Sequence, residues 1–219
     1  TNGLGGATYL ELQPDYLSSA EPSFPITLSL NPCINASKPL TIRPASTVAS
    51  ALTITTSNAT AVFDLNGASY ITIDGRPGGT GTSRMLNIIN TSTTAISTVR
   101  FINEANNNLV TYCDIQGSST TSANPTTSGV VYIGSTTGAN GNDNNTISFN
   151  NIHAAGSSLP AIGIGAYNST TAGNVSNNDN NTINGNNIYD FFIATANTTG
   201  IKVDAGNNNY SITNNHIYE

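Results

Sequence analysis

The second half of the chain repeats itself. The string NDNNTISFNNIH at Asn142 to His153 returns as NDNNTINGNNIY at Asn178 to Tyr189, and more loosely as NNYSITNNHIY at Asn208 to Tyr218. LVTYCDIQG, from Leu109 to Gly117, fits the same frame. Aligned on Cys113, Asn150, Asn186 and Asn215, the copies place Val110, Ile147, Ile183 and Ile212 three residues before, and Ile115, Ile152, Ile188 and Ile217 two residues after. Equivalent residues returning at a loose period belong in equivalent environments, which stacked structural repeats provide.

A second apolar alternation lies between the copies: Val131 and Ile133, then Ile162 and Ile164, then Ile201 and Val203. The unit is therefore strand, Asn turn, strand, loop, strand, loop. Helix signals are nearly absent, because no stretch keeps apolar residues at helical spacing for three turns. Stacked parallel coils fit this pattern: each contributes one inward residue per column, and loop insertions project sideways. An Asn at one corner of every coil can pass amide hydrogen bonds along the stack and tolerates the left-handed backbone of a tight bend. Cys113 is expected in the same inward slot.

The first half carries weaker copies of the theme: TYLEL from Thr8, ITLSL from Ile26, LTIRP from Leu40, LTITT from Leu52, AVFDL from Ala61, YITIDG from Tyr70, MLNII from Met85 and VRFIN from Val99. The expectation is an all-β fold, a right-handed parallel β-helix of about six coils with three short strands per coil, roughly 30 Å long at a rise of ~4.8 Å. It forms a single domain over 1–219, with more divergent coils in 1–108 and regular Asn-ladder coils in 109–219, and is expected to be part of a longer chain. A β-sandwich needs hairpins, yet Asn-Gly and Asp-Gly turns rarely separate these strands.

Composition limits the function. Only 8% of residues are charged, so Asn, Thr, Ser and Gly supply the polar surface. Disorder usually combines low hydrophobicity with high net charge, and the regular Ile, Val and Leu runs argue against it. The net charge is −6, and the six cations, Lys38, Arg43, Arg76, Arg84, Arg100 and Lys202, form no stripe for a phosphate backbone, so nucleic acid is not an expected partner. No apolar run approaches the ~20 residues of a spanning helix, so membrane insertion is not expected. Thr1 to Ala7 carry no export signal, which would have to lie outside this segment. Cys33 and Cys113 suit two buried thiols better than a metal pair or a disulfide.

The strings LELQPDYLSSAEPSFPITL, ITIDGRPGGTGTSR and the NDNNTI copies resemble the β-helical repeats of very large surface proteins exported by gliding and environmental Bacteroidetes. The resemblance covers nearly the whole chain. It implies an extracellular or cell-surface location and a role in adhesion or surface architecture, and it transfers no catalytic residue.

Other parallel β-helices are polysaccharide lyases and hydrolases, so candidate sites are weighed by residue. Paired acid and base chemistry needs two carboxylates on one cleft. Asp64, Asp74 and Asp114 are the best candidates, but they are assigned to the second, third and first strands of the unit respectively, and read as outward polar residues. His153 and His216 fall on the outer face without a paired nucleophile. Asp143 and Asp179 could ligate calcium, but their spacing matches neither an EF-hand nor a nonapeptide repeat. The loop GRPGGTGTSR, Gly75 to Arg84, lacks the lysine and helix of a phosphate loop. Asn-x-Ser/Thr triplets at Asn35, Asn58, Asn168, Asn174 and Asn197 would matter only in a glycosylating host. Tyr132, Tyr167, Tyr189, Phe191 and Phe192 could stack on sugars if exposed together. The reading is of a non-catalytic structural or adhesive module with no metal or cofactor. Surface glycans are possible partners, and so are further copies of the chain, since uncapped coils can associate end to end.

Overall fold

The computed structural model describes residues 5–169 and 176–219 and is a parallel β-solenoid of about six coils. The first sheet has seven strands, Thr8–Leu12, Leu40–Pro44, Ile71–Asp74, Leu109–Thr111, Thr146–Ser148, Thr182–Asn184 and Ser211–Thr213. The second has six, Leu52–Thr56, Leu86–Asn90, Asp114–Gly117, Asn151–Ala154, Asn187–Ile188 and His216–Ile217. The third also has six, Ile26–Ser29, Phe63–Asn66, Val99–Ile102, Val131–Ile133, Ile162–Ala166 and Thr199–Val203. The chain visits the sheets in that order in each coil, so every neighbour within a sheet comes from the coil before or after and pairs in parallel.

Alternation along each strand sends one set of side chains to the axis. Ile42, Ile73, Val110, Ile147 and Ile183 form one buried column, and Ile54, Ile88, Ile115, Ile152 and Ile188 another. Both columns follow the sequence alignment. Ile212 and Ile217 extend them onto the last coil, where both are exposed.

In the third sheet the expected pairing slips by two residues. Val131 stands beside Ile164 and Ile201, and Ile133 beside Ala166 and Val203, while Ile162 pairs with Thr199. Ile162, Ile164 and Ala166 share one parity, so alternation alone cannot choose between the two registers. The first coil also departs from expectation, since it has no strand in the second sheet. A 3₁₀ turn at Ser18–Ala20 takes its place, and the Ser18 hydroxyl accepts from the Thr55 N–H and donates to the Thr55 carbonyl, both at 3.0 Å. A side chain thus does the pairing that blunts this strand edge.

Candidate functional site

The corner between the first and second sheets holds the expected ladder. The Cys113 N–H donates to Asn150 Oδ1 at 2.9 Å, Asn150 N–H to Asn186 Oδ1 at 3.0 Å, and Asn186 N–H to Asn215 Oδ1 at 3.0 Å. Each amide nitrogen also donates inward: Asn150 Nδ2 to the Val110 carbonyl, Asn186 Nδ2 to that of Ile147, and Asn215 Nδ2 to that of Ile183. The residue before each ladder position, Tyr112, Phe149, Gly185 or Asn214, has a positive φ, so the tight bend and the ladder occur together. Phe149 stacks on Tyr112, and a Cβ at Gly185 would collide with the Phe149 ring.

Two further ladders were not expected. Asn108, Asn145 and Asn181 form one at the entry to the first sheet, Asn108 N–H donating to Asn145 Oδ1 and Asn145 N–H to Asn181 Oδ1. Asn142, Asn178 and Asn207 form the other, with Asn142 N–H on Asn178 Oδ1 and Asn178 Nδ2 on Asn207 Oδ1. The recurring NDNN string now has a physical reading. Its first and fourth residues are ladder members, its third, Asn144 or Asn180, takes the left-handed backbone, and its second faces outward.

That second position holds Asp143 and Asp179, the calcium candidates. Asp143 N–H donates to Asn106 Oδ1, and Asp143 Oδ1 accepts the Asp179 N–H at 2.8 Å, so Asp143 acts as a link in an outer column. Burial, with Asp179 and Glu104 close by, raises the Asp143 pKa above the usual carboxylate value. Among the described residues no three His, Cys, Asp or Glu side chains converge to hold a metal ion.

Asp64, Asp74 and Asp114 do lie on three different sheets, but on the third, first and second respectively, which corrects the assignment from sequence. Nor are they simple outward residues. Asp64 and Asp74 are buried, 3% and 5% exposed, beneath arginines that pair with them in bidentate fashion: Arg100 at 2.7 Å and Arg76 at 2.8 Å. A guanidinium fork satisfies both carboxylate oxygens and covers them from water. Asp114 accepts from Gln116 Nε2 at 2.6 Å, meets His153 Nε2 at 3.1 Å and receives Asn151 Nδ2 at 3.3 Å. Burial opposes its ionisation, but these hydrogen bonds outweigh it and hold its pKa below the usual value.

His153 lies on the outer face of the second sheet and His216 is exposed at the last coil, both as expected. His153 stacks on Tyr189 at 4.6 Å between centroids, and Tyr189 on Tyr218 at 5.2 Å. These rings spend their faces on one another along the axis. The other aromatics do not join them: Tyr132 is buried, Phe191 packs against the core, Tyr167 is half-buried, and Phe192 is 55% exposed. Burial pushes the Tyr132 phenol up to about 12. Cys113 is fully buried, and burial pushes its thiol well above the usual range. Cys33 is only half-buried, in a turn, and both cysteines are free. Of the triplet asparagines, Asn168 is fully buried, Asn35 and Asn58 accept backbone hydrogen bonds, Asn197 is exposed, and Asn174 lies outside the described residues.

The GRPGGTGTSR loop carries Arg76 and Arg84 to the first corner, where both guanidinium groups lie over the Tyr112 ring and Arg84 Nε donates to the Phe149 carbonyl at 2.8 Å. It braces the corner with cations on an aromatic face. On the third sheet, the part of the loop from Ala123 to Ser128 forms a strap over the outer face. Thr126, fully buried, donates its N–H and hydroxyl to Asp204 Oδ2 at 2.7 and 2.8 Å, and Lys202 lies 3.3 Å from the same oxygen.

The outer face of the second sheet carries a continuous polar row. Asn87, Asp114, Asn151, Asn187 and His216 stand in register along it, the first four partly buried and His216 exposed. No helix among the described residues is long and apolar enough to cross a membrane. Searches of family models, curated proteins and solved structures find no match to this chain.

Proposed function

We propose that the chain is a non-catalytic structural or adhesive module of an exported protein, displayed outside the cell or at its surface. The observation that carries this reading is the use made of the side chains. Those facing the axis are committed to apolar columns and three amide ladders, and Asp64 and Asp74 are each locked to an arginine. Such a stack is stiff along its length and leaves its sides free for display. The resemblance of strings in both halves to surface proteins of Bacteroidetes points the same way. Antibodies against the segment should label intact cells of the source organism; labelling only after permeabilisation would overturn the surface location. A polysaccharide-lyase reading is the enzymatic alternative, and metal-dependent formation of unsaturated uronate by the purified chain would establish it in place of the proposal.

A further inference from the structure

Asparagine followed by glycine is the dipeptide most prone to lose its side-chain amide, because a glycine nitrogen turns back onto the asparagine Cγ with no Cβ in the way. The chain has four such pairs: Asn2-Gly3, which lies outside the described residues, Asn66-Gly67, Asn140-Gly141 and Asn184-Gly185. The fold treats the three described pairs differently. Asn66 and Asn184 end the strands Phe63–Asn66 and Thr182–Asn184, and the glycine N–H after each is engaged with the next coil, Gly67 with the Ile102 carbonyl at 2.9 Å and Gly185 with that of Thr213 at 3.1 Å. Their side chains are held as well. Asn66 Oδ1 accepts Asn103 Nδ2 at 2.8 Å, and Asn184 Oδ1 accepts the Thr213 hydroxyl at 3.0 Å and Asn214 Nδ2 at 2.9 Å. A nitrogen whose proton is held by a carbonyl attacks only after that bond opens, so the stack protects both sites.

Asn140-Gly141 lacks this protection. Asn140 is exposed in a loop, and its Nδ2 reaches only Glu104 Oε1, at 3.4 Å. Among the described residues its Oδ1 accepts no hydrogen bond, and the Gly141 N–H donates none. Nor is the glycine exchangeable, since a Cβ at 141 would collide with the Asn177 carbonyl of the next coil. The close approach of the coils requires the very residue that makes Asn140 labile.

We propose that Asn140 is a site of spontaneous deamidation. The Gly141 nitrogen gives its proton to hydroxide and bonds to Asn140 Cγ. The Cγ–Nδ2 bond breaks, and the departing nitrogen takes a proton from water, which restores the hydroxide, and leaves as ammonia from a closed succinimide. A second water opens the ring: cleavage of the new Cγ–N bond gives aspartate, and cleavage between the nitrogen and the Asn140 main-chain carbonyl carbon gives isoaspartate. The sum is asparagine plus water to acid plus ammonia, with no change of oxidation state. The product acts on its surroundings, because the loop is tied to the coil before it by Asn140 N–H on Glu104 Oε1 at 2.8 Å and by Thr137 on Asn103 Oδ1 at 3.2 Å. A carboxylate at 140 offers Glu104 no donor and repels it. Isoaspartate also adds a main-chain carbon two residues before the Asn142 rung, so the modification loosens the loop and the start of that ladder.

Incubation of the whole chain in mildly alkaline buffer, followed by peptide mapping with mass spectrometry and enzymatic methylation of isoaspartate, tests the assignment. The Asn140 peptide should gain one mass unit at least ten times faster than those of Asn66 and Asn184, and faster in alkali than in mild acid. In the urea-unfolded chain the three rates should converge. Asn140→Gln should remove the conversion while the melting temperature stays within a few degrees, and hydrogen exchange across residues 135–142 should rise several-fold in the aged chain. Conversion at Asn140 no faster than at Asn66 or Asn184 in the folded chain overturns the site, as does its absence. Unchanged exchange in a fully converted chain overturns the loosening.

Discussion

Asparagine suits an interior ladder slot because one short side chain carries both a donor and an acceptor, and each slot uses both. At Asn186, Oδ1 accepts from the N–H and Nδ2 of Asn150, while Nδ2 donates to the Ile147 carbonyl. Asn186→Ala strands a buried N–H and a buried carbonyl at about 1–3 kcal/mol each, so a loss of roughly 2–6 kcal/mol is expected. Calorimetry should show the melting temperature falling by about 5–20 °C. The outer column has the opposite requirement, since Asp143 need only accept. Its raised pKa, caused by burial and by the carboxylates of Asp179 and Glu104, means that the folded state favours the protonated form. That contribution is full below the unfolded pKa and is lost as pH rises through the folded one. Asp143→Asn keeps the acceptor and removes the charge, so it should add about 0.5 kcal/mol near neutral pH and nothing in acid; thermal melts at both pH values check this. The corner at Asn150 was legible because Val and Ile flank it at fixed distances. The ladders within NDNN were not, because inner Asn, outer Asp and left-handed Asn all read as ordinary turn composition.

Among the elements, the strands of both halves could be read from alternation alone, whereas the strap over the third sheet could not. Its presence depends on what lies under it. Gly165 stands in the outward row between Tyr132 and Lys202, and a Cβ there would collide with the Ser128 carbonyl. Only a residue without a side chain lets the strap lie flat, and no periodicity records that requirement. Asp204 pins the strap from two coils away. Burial opposes its charge, but Thr126 and Lys202 together lower its pKa, so its stabilisation is present above the unfolded carboxylate value and lost as pH falls through the folded one. Asp204→Ala should raise amide exchange and proteolysis across residues 123–128 several-fold while Val110 and Ile147 stay protected. Acidification of the unsubstituted chain should loosen the same segment. Equal loosening of all coils would show that the strap and the stack open together.

For the whole molecule, neutral amides rather than ion pairs hold successive coils together. Its melting temperature should therefore move by no more than a few degrees between low salt and about 1 M salt, where exposed charges are screened within ~3 Å. A large shift in a salt series would mean that Asp64–Arg100 and its kin carry more of the stability than the ladders. The amide ladder at the first corner also has an arrow. The main-chain N–H of each coil is met by the side-chain oxygen of the coil that follows it, as Cys113 is by Asn150 and Asn150 by Asn186. Each turn is therefore completed by its successor, and damage at one rung is felt upstream: in Asn186→Ala the amide that exchanges faster is that of Asn150, one turn earlier in the chain. A polypeptide emerging amino end first would lock each turn as the next arrives, so its growing tip is always the loosest part.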